Sequence, residues 1–113
     1  MASFKKRASN TFKLKVAVFL GDQSLGDLDV EFEQLSQDDF TDVVENESDQ
    51  GLCKRVIKSV GDIAVEDSDE VLKGADAVNL VLEDACCVAA CAASYMEAMK
   101  SRNFRGRGSK KGR

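Results

Sequence analysis

The sequence predicts an α+β fold in which an N-terminal antiparallel β-hairpin is followed by three to four α-helices. Residues 11–33 alternate between apolar and charged side chains on either side of a glycine-containing turn. Apolar residues then recur at helical spacing from residue 36 onward. The segment that begins at residue 85 is long and rich in small residues, which predicts a closely packed C-terminal helix.

Two alternating segments predict the hairpin. TFKLKVAVFL, residues 11–20, has its lysines on one face, and DLDVEFEQL, residues 27–35, alternates apolar side chains with carboxylates. Between them, GDQSLG at residues 21–26 supplies two glycines and an aspartate for a turn. The side chains expected to point inward are Phe12, Leu14, Val16, Val18, Leu20, Leu28, Val30 and Phe32.

Helical spacing predicts the elements that follow the hairpin. Ser36 with Asp39 three residues later resembles a capping box, so a short acidic helix is expected to begin there and end near Ser48. A second helix is expected over residues 49–60, ended by the glycine that follows.

The rest of the chain contains one ambiguous segment and two helical ones. IAVEDSDEVL, residues 63–72, is compatible with either a short strand or an extended connector. A third helix is expected from Asp76, which we interpret as its N-cap, and the long helix is expected to reach about Arg102.

Charge is distributed unevenly along the chain, whose net charge is −4. Residues 8–99 hold 6 basic and 20 acidic side chains, a net charge of −14, whereas the flanks carry 10 basic residues and no acidic ones. At 113 residues there is room for one modest core. We therefore expect a single domain at residues 10–101, between a flexible basic N-terminus at 1–9 and a disordered, flexible basic tail at 102–113.

The N-terminal sequence does not resemble a signal peptide, because MASFKKR lacks an apolar stretch. The longest apolar run, residues 85–93, is about half of the roughly 20 residues that a membrane span needs. We expect a cytosolic protein without a membrane segment, and therefore thiols instead of disulfides.

Three of the four cysteines lie in the segment DACCVAACAASYMEAM, residues 84–99. On a helix, Cys86 points roughly 140° away from Cys91, so these thiols do not converge on one tetrahedral ion. The sequence also has no histidine, and the vicinal Cys86–Cys87 pair lacks the spacing of a thioredoxin-like site. We interpret the cysteines as small apolar side chains, and we expect neither a metal nor a cofactor.

The same segment contains the candidate binding residues. Helical rotation places Ala85 and five further residues, named at the end of this paragraph, on one apolar stripe. The back of the helix, around Cys86, Ala90 and Ser94, carries small and barely polar side chains. The stripe is compatible with burial inside the chain, with self-association, or with a partner helix. The candidate partner-binding residues are Val88, Ala92, Tyr95, Met96 and Met99.

Catalytic motifs are not recognisable. Neither acidic cluster, at residues 38–42 or 66–70, has the Asp-x-Asp-x-Asp-Gly pattern and distal Glu of a calcium loop. No histidine is present to activate a serine, and no glycine-rich phosphate loop with Lys-Ser or Lys-Thr appears. We expect a protein that is not an enzyme.

The basic tail FRGRGSKKGR leaves three interpretations open. Arg and Gly could follow RNA phosphates while Phe104 stacks on a base. The tail could be only a solubilising end, or it could lie on the acidic body of a second copy. The candidate electrostatic contacts are Arg102, Arg105, Arg107, Lys110 and Lys111.

The order of these segments resembles the tail assembly chaperones of long-tailed bacteriophages. The resemblance covers about residues 10 to 103 and rests on FKLKVAV, DLDVEFEQLS, DDFTDVVEN, KRVIKSVGDI with the acidic residues after it, and a small-residue helix ending in SYMEAMKSRN. It implies a non-enzymatic chaperone that binds the tape-measure protein, helps to recruit tail tube subunits and oligomerises. It also implies action in the host cytoplasm and absence from the mature virion.

The resemblance further implies that a longer product arises by ribosomal frameshifting near the end of the shorter one. Ser109-Lys110-Lys111 is compatible with an A-rich slippery codon run at that place. The alternatives are a small RNA-binding protein that acts through its Arg/Gly-rich tail and a structural component of the tail. Nucleic acid is therefore a possible partner through the tail only.

Overall fold

The computed structural model describes Phe4 and residues 9–108, with side chains described as far as residue 100. The predicted α+β class is confirmed, because an N-terminal antiparallel hairpin is followed by helices. The elements are β1 (Thr11–Leu20), β2 (Gln23–Glu33), α1 (Gln37–Asn46), α2 (Asp49–Val56), β3 (Ile57–Val60), β4 (Ile63–Ala64), β5 (Val71–Leu72), α3 (Gly74–Glu83) and α4 (Ala85–Gly108).

The hairpin turn is shorter than the sequence predicted. Strands β1 and β2 pair antiparallel until Leu20 lies opposite Gln23, so only Gly21 and Asp22 connect them. Gly21 has a φ of 62°, as a two-residue hairpin loop with glycine in first place requires. The predicted turn of residues 21–26 therefore belongs mostly to β2.

A β-bulge displaces the strand pairing near the turn. Val18 lies opposite Gly26, but Phe19 lies opposite Ser24, and Gly26 adopts a φ of 112° that side chains rarely tolerate. Leu20, beyond the bulge, is 58% exposed. The prediction that Leu20 points into the core is therefore wrong, because Leu20 is the last residue of β1 before the turn and lies two positions past Val18, the last buried residue of that strand.

The second predicted helix ends four residues early. Helix α2 stops at Val56, and Ile57–Val60 forms the third strand of the sheet, antiparallel to β2. Residues 57 and 60 are apolar and β-branched, so their spacing satisfies a helical pattern and a bulged strand equally well. The free edge of β2 decides between them, since its backbone groups need hydrogen-bond partners.

Side chains set the starts of the first two helices. The Ser36 hydroxyl accepts a hydrogen bond from the Asp39 N–H at 3.2 Å, which confirms the predicted cap of α1. Ser48 caps α2 in the same way, accepting from the Gly51 N–H at 3.1 Å. The predicted N-cap at Asp76 is wrong, because α3 begins at Gly74 and Asp76 lies in its first turn, where a carboxylate favours the helix dipole.

The ambiguous segment forms a small second sheet. Ile63 and Ala64 pair antiparallel with Leu72 and Val71, so this part of the chain is a short hairpin instead of a plain connector. Helix α3 follows, and Asp84 ends it. The Asp84 carboxylate then accepts a hydrogen bond from the Cys87 N–H at 3.0 Å, which starts α4.

Helix α4 continues past the predicted end. Its backbone is helical to Gly108, so the prediction that the helix ends near Arg102 is wrong. The flexible basic tail at 102–113 stays a prediction. Residues 109–113 and most of the predicted flexible N-terminus lie outside the described residues.

The core lies between the three-stranded sheet, in the order β1-β2-β3, and the helices on one of its faces. Helix α4 packs against β1, α2 and α3, and α3 packs against β3. One connected cluster joins all of these elements, as expected for a two-layer domain. The buried apolar residues are Val16, Val18, Val30, Phe32, Leu35, Val43, Leu52, Cys53, Val56, Ile57, Val60, Ala77, Val81, Val88, Cys91, Ala92 and Tyr95.

Candidate functional site

Tyr95 lies in the centre of the core and not on a binding surface. It is fully buried, and its ring packs against Phe12 and Phe32 at centroid distances of 5.8 and 5.3 Å. Its hydroxyl donates to the Glu33 carbonyl at 2.8 Å and accepts from the Leu35 N–H at 3.3 Å. Burial raises the pKa of this phenol. Tyr95 thus ties α4 to the end of β2.

The other residues of the predicted binding stripe also pack wholly or partly against the core. Val88 and Ala92 are buried, and Met96 and Met99 are half-buried against the same cluster. Of the alternatives that the sequence left open, the structure therefore selects burial inside the chain for most of the stripe. The helical spacing located an apolar face, but it could not say which element covers that face.

The candidate electrostatic residues have no described side-chain positions. The backbone of Arg102, Arg105 and Arg107 lies in α4, whereas Lys110 and Lys111 fall outside the described residues.

A different face of α4 is open to solvent. Ala85, Ala89 and Ala93 are exposed in a row, and Cys86 and Ala90 beside them are half-buried; we call these five residues the α4 outer face. Ala85 was predicted to share one apolar stripe with Val88 and Ala92, but it is exposed whereas they are buried. From Ala85 to Met96 this helix carries no charged side chain.

The chemistry of the α4 outer face suits close contact with another helix. Small side chains let helix axes approach toward the lower end of the usual 8–10 Å range, at about 8 Å. Met96 borders the same face by helical rotation and remains half-buried, so it can adapt its shape to a partner. The alanine row was not predicted, because helical rotation alone assigned the back of the helix to Cys86, Ala90 and Ser94 and did not show which side the core covers.

The buried cysteines are protonated at neutral pH. Burial, with a smaller effect of Asp49, raises the pKa of the Cys53 thiol to about 11, and burial with the neighbouring Cys53 and Cys87 thiols raises that of Cys91 to about 12. The Cys53 thiol donates to the Val88 carbonyl at 3.6 Å. Among the described residues, all four cysteines are free and no group of three or more metal-ligating side chains is arranged to hold an ion.

The sheet face turned away from the helices is polar and carries paired charges. Glu33 contacts Lys58 at 2.8 Å and Arg55 at 3.0 Å, and its pKa is lowered chiefly by the hydrogen bond from Lys58. Lys15 and Asp29 lie 3.4 Å apart across β1 and β2. These contacts pair opposite charges within the chain, whereas the α4 outer face carries no charged residue.

A second apolar surface lies near the hairpin turn. A groove of about 260 Å³, which we call the hairpin groove, runs between the end of the hairpin, the segment 61–64 and the helices α3 and α4. Leu25 and Leu80 in its wall are 50% and 39% exposed. The hairpin groove was not predictable from the sequence, because it joins residues that are far apart in the chain. The residues that line it include Leu25, Leu28, Ile63, Leu80, Cys87, Asp27, Asp29 and Asp62.

Within residues 9–100, no single helix is long and apolar enough to span a membrane. Helix α3 and the first part of α4 reach that length and composition only together, across a bend of 94°.

No protein-family model, no curated protein and no solved structure matches this chain.

Proposed function

We propose that this chain is a non-enzymatic assembly chaperone for the tail of a long-tailed bacteriophage. In this proposal it holds the elongated, helical tape-measure protein before tube subunits polymerise around it, and helps to recruit the tail tube protein. The chaperone works in the host cytoplasm, oligomerises, and leaves before the virion is complete. A frameshifted longer product would add the contacts to the tube protein.

The observation that carries the proposal is the α4 outer face. Three turns of α4 carry no charged residue even on their exposed side, although charged residues make up 32% of the chain. An amphipathic partner helix could lie along this row of alanines, with Met96 at its border adjusting to different side chains. The strongly acidic body around it would keep the complex in solution.

The contacts between the chaperone and the tape-measure protein must be weak and adaptable, because the chaperone is released at the end of assembly. An alanine row offers close packing but few deep pockets for the partner's side chains, and deep pockets hold the side chains that dominate tight binding. The polar sheet face and its ion pairs lie on the other side of the molecule, where they do not compete for an apolar partner.

The test uses Ala89→Glu/Ala93→Glu with a purified tape-measure protein. Both positions are exposed, so the variant should fold with a free energy of unfolding within about 0.5 kcal/mol per substitution. Binding should weaken at least about tenfold, because two carboxylates would be desolvated in an apolar contact. Ala75→Glu, at an exposed alanine of α3, is the matched control and should bind normally.

The competing interpretations give opposite results. RNA binding through the tail predicts an affinity for single-stranded RNA that falls steeply with salt and is lost on deleting residues 102–113. A structural tail component predicts that the chain is present in purified virions. Either result, or unchanged tape-measure binding by the double variant, contradicts the proposed function.

A further inference from the structure

The hairpin groove combines an apolar wall with three carboxylates, Asp27, Asp29 and Asp62, whose negative charge is only partly paired within the chain. Asp29 and Asp62 each meet one lysine, at 3.4 and 3.9 Å, through contacts that are largely exposed to solvent. Asp27 has no ion pair among the described residues. An occupant of this groove should therefore offer apolar side chains together with several positive charges.

The chain itself contains a segment with that composition. Phe104 lies between Arg102 and Arg105, Arg107 follows, and no acidic residue occurs after Glu97. The net charge of −14 on residues 8–99 makes the contact attractive over several ångströms as well as locally.

The segment cannot reach the groove of its own molecule. Cys87 lines the groove, and the helix continues unbroken from there to Gly108. Residues 102 and 107 are therefore held about 22 and 30 Å along the helix from Cys87, at 1.5 Å per residue. Only the helix of another molecule can bring these arginines to the groove.

We propose that the basic C-terminal end of α4, residues 102–107, docks into the hairpin groove of a second copy of this chain. Phe104 fills the apolar part beside Leu25 and Leu80, and the arginines meet Asp27, Asp29 and Asp62. The contact joins opposite ends of the molecule, so it is heterologous and builds head-to-tail chains or a ring. It deepens the oligomerisation named in the proposed function by specifying the two surfaces.

The experiment is sedimentation equilibrium on the full chain and two charge reversals. Asp27→Lys/Asp62→Lys changes the groove, and Arg102→Asp/Arg105→Asp/Arg107→Asp changes the helix end. The wild type should form species above the 12.3 kDa monomer, and each variant should raise the dissociation constant at least about tenfold. Asp42→Lys/Glu45→Lys, with the same change in charge as the groove variant but on exposed α1 positions, should associate like the wild type.

Mixing the two variants gives the decisive result. Each variant alone brings like charges together at the contact. In the mixture, the positively charged groove of one variant can bind the negatively charged helix end of the other. The native groove and the native helix end, which lie on different variants, can also bind each other. The mixture should therefore recover mass that neither variant shows alone. Association of the wild type should also weaken as ionic strength rises from about 0.05 to about 0.5 M.

Three outcomes would overturn the inference: a wild type that stays monomeric, variants that associate normally, or a mixture that stays monomeric. The helix-end variant is informative even if the groove variant fails to fold by circular dichroism, because it leaves every residue of the groove unchanged. The experiment needs only this chain, so its failure leaves tape-measure binding to be judged separately by the α4 outer face variants.

Discussion

Tyr95 determines how α4 meets the sheet. Its ring completes an aromatic cluster with Phe12 and Phe32, and its hydroxyl hydrogen-bonds to two backbone groups at the end of β2, the Glu33 carbonyl and the Leu35 N–H. A phenylalanine would fill the same space but leave the Leu35 N–H and the Glu33 carbonyl without this partner.

We expect Tyr95→Phe to lower the free energy of unfolding by about 1–3 kcal/mol, the cost of leaving buried polar groups unpaired. Urea unfolding followed by circular dichroism measures it. Phe19→Ala is the control: Phe19 is 51% exposed, and its removal should cost less. A Tyr95→Phe protein as stable as the wild type would show that the hydroxyl contributes nothing.

The buried thiols make the free energy of unfolding depend on pH in the alkaline range. The pKa values of Cys53 and Cys91 rise from an ordinary 9.0 to about 11 and about 12. Since the folded protein favours the neutral thiol, this contribution is complete below pH 9 and is lost as the pH rises toward 12.

The free energy of unfolding should therefore fall between pH 9 and pH 12, and fall less steeply in Cys53→Ala/Cys91→Ala. Unfolding curves at several pH values measure the slope. Cys86→Ala, at a half-buried position of the α4 outer face, should keep the wild-type slope. Equal slopes in all three proteins would contradict the assignment to the buried thiols.

At the scale of elements, the strands and helices differ in how far local signals define them. The hairpin was predictable because alternation and a two-glycine segment agree. The start of helix α1 was predictable because Ser36, followed by Asp39 three residues later, is a local N-cap signal in the sequence. Strand β3 was not, because its apolar spacing is also helical and only pairing with β2 distinguishes the two.

Ser36→Ala should lower the free energy of unfolding by about 1 kcal/mol, since the Asp39 N–H loses its acceptor. Chemical denaturation measures the loss. Ser36→Asp keeps an acceptor at the cap and is the matched control, expected to stay near the wild type. If the alanine and aspartate variants are equally stable, the cap does not stabilise α1.

At the scale of the whole molecule, one core joins the sheet to α2, α3 and α4. A substitution that disrupts the packing of α4 against this core should therefore destabilise the three-stranded sheet as well. The acidic body and basic ends were evident from the sequence, because a charge count needs no coordinates. The sequence did not reveal that the length of α4 separates the hairpin groove from the C-terminal end of the helix.

Ala92→Glu should destabilise the entire protein by a few kcal/mol, because Ala92 is 4% exposed and a carboxylate there would be buried without a partner. Thermal unfolding monitored by circular dichroism should show one transition at a much lower temperature. Ala93→Glu, one residue further along and exposed, is the control and should unfold near the wild-type temperature. Similar unfolding of both variants would contradict the observed packing of α4.

The sequence by itself determined the fold class, the hairpin, the cap of α1 and the position of the long small-residue helix, because each depends on residues near one another in the chain. Only the tertiary structure decided that β3 is a strand, that Val88, Ala92 and Tyr95 face the core, and that the α4 outer face and the hairpin groove are open. Those outcomes depend on which element covers another, and a periodic pattern specifies a face without specifying its partner.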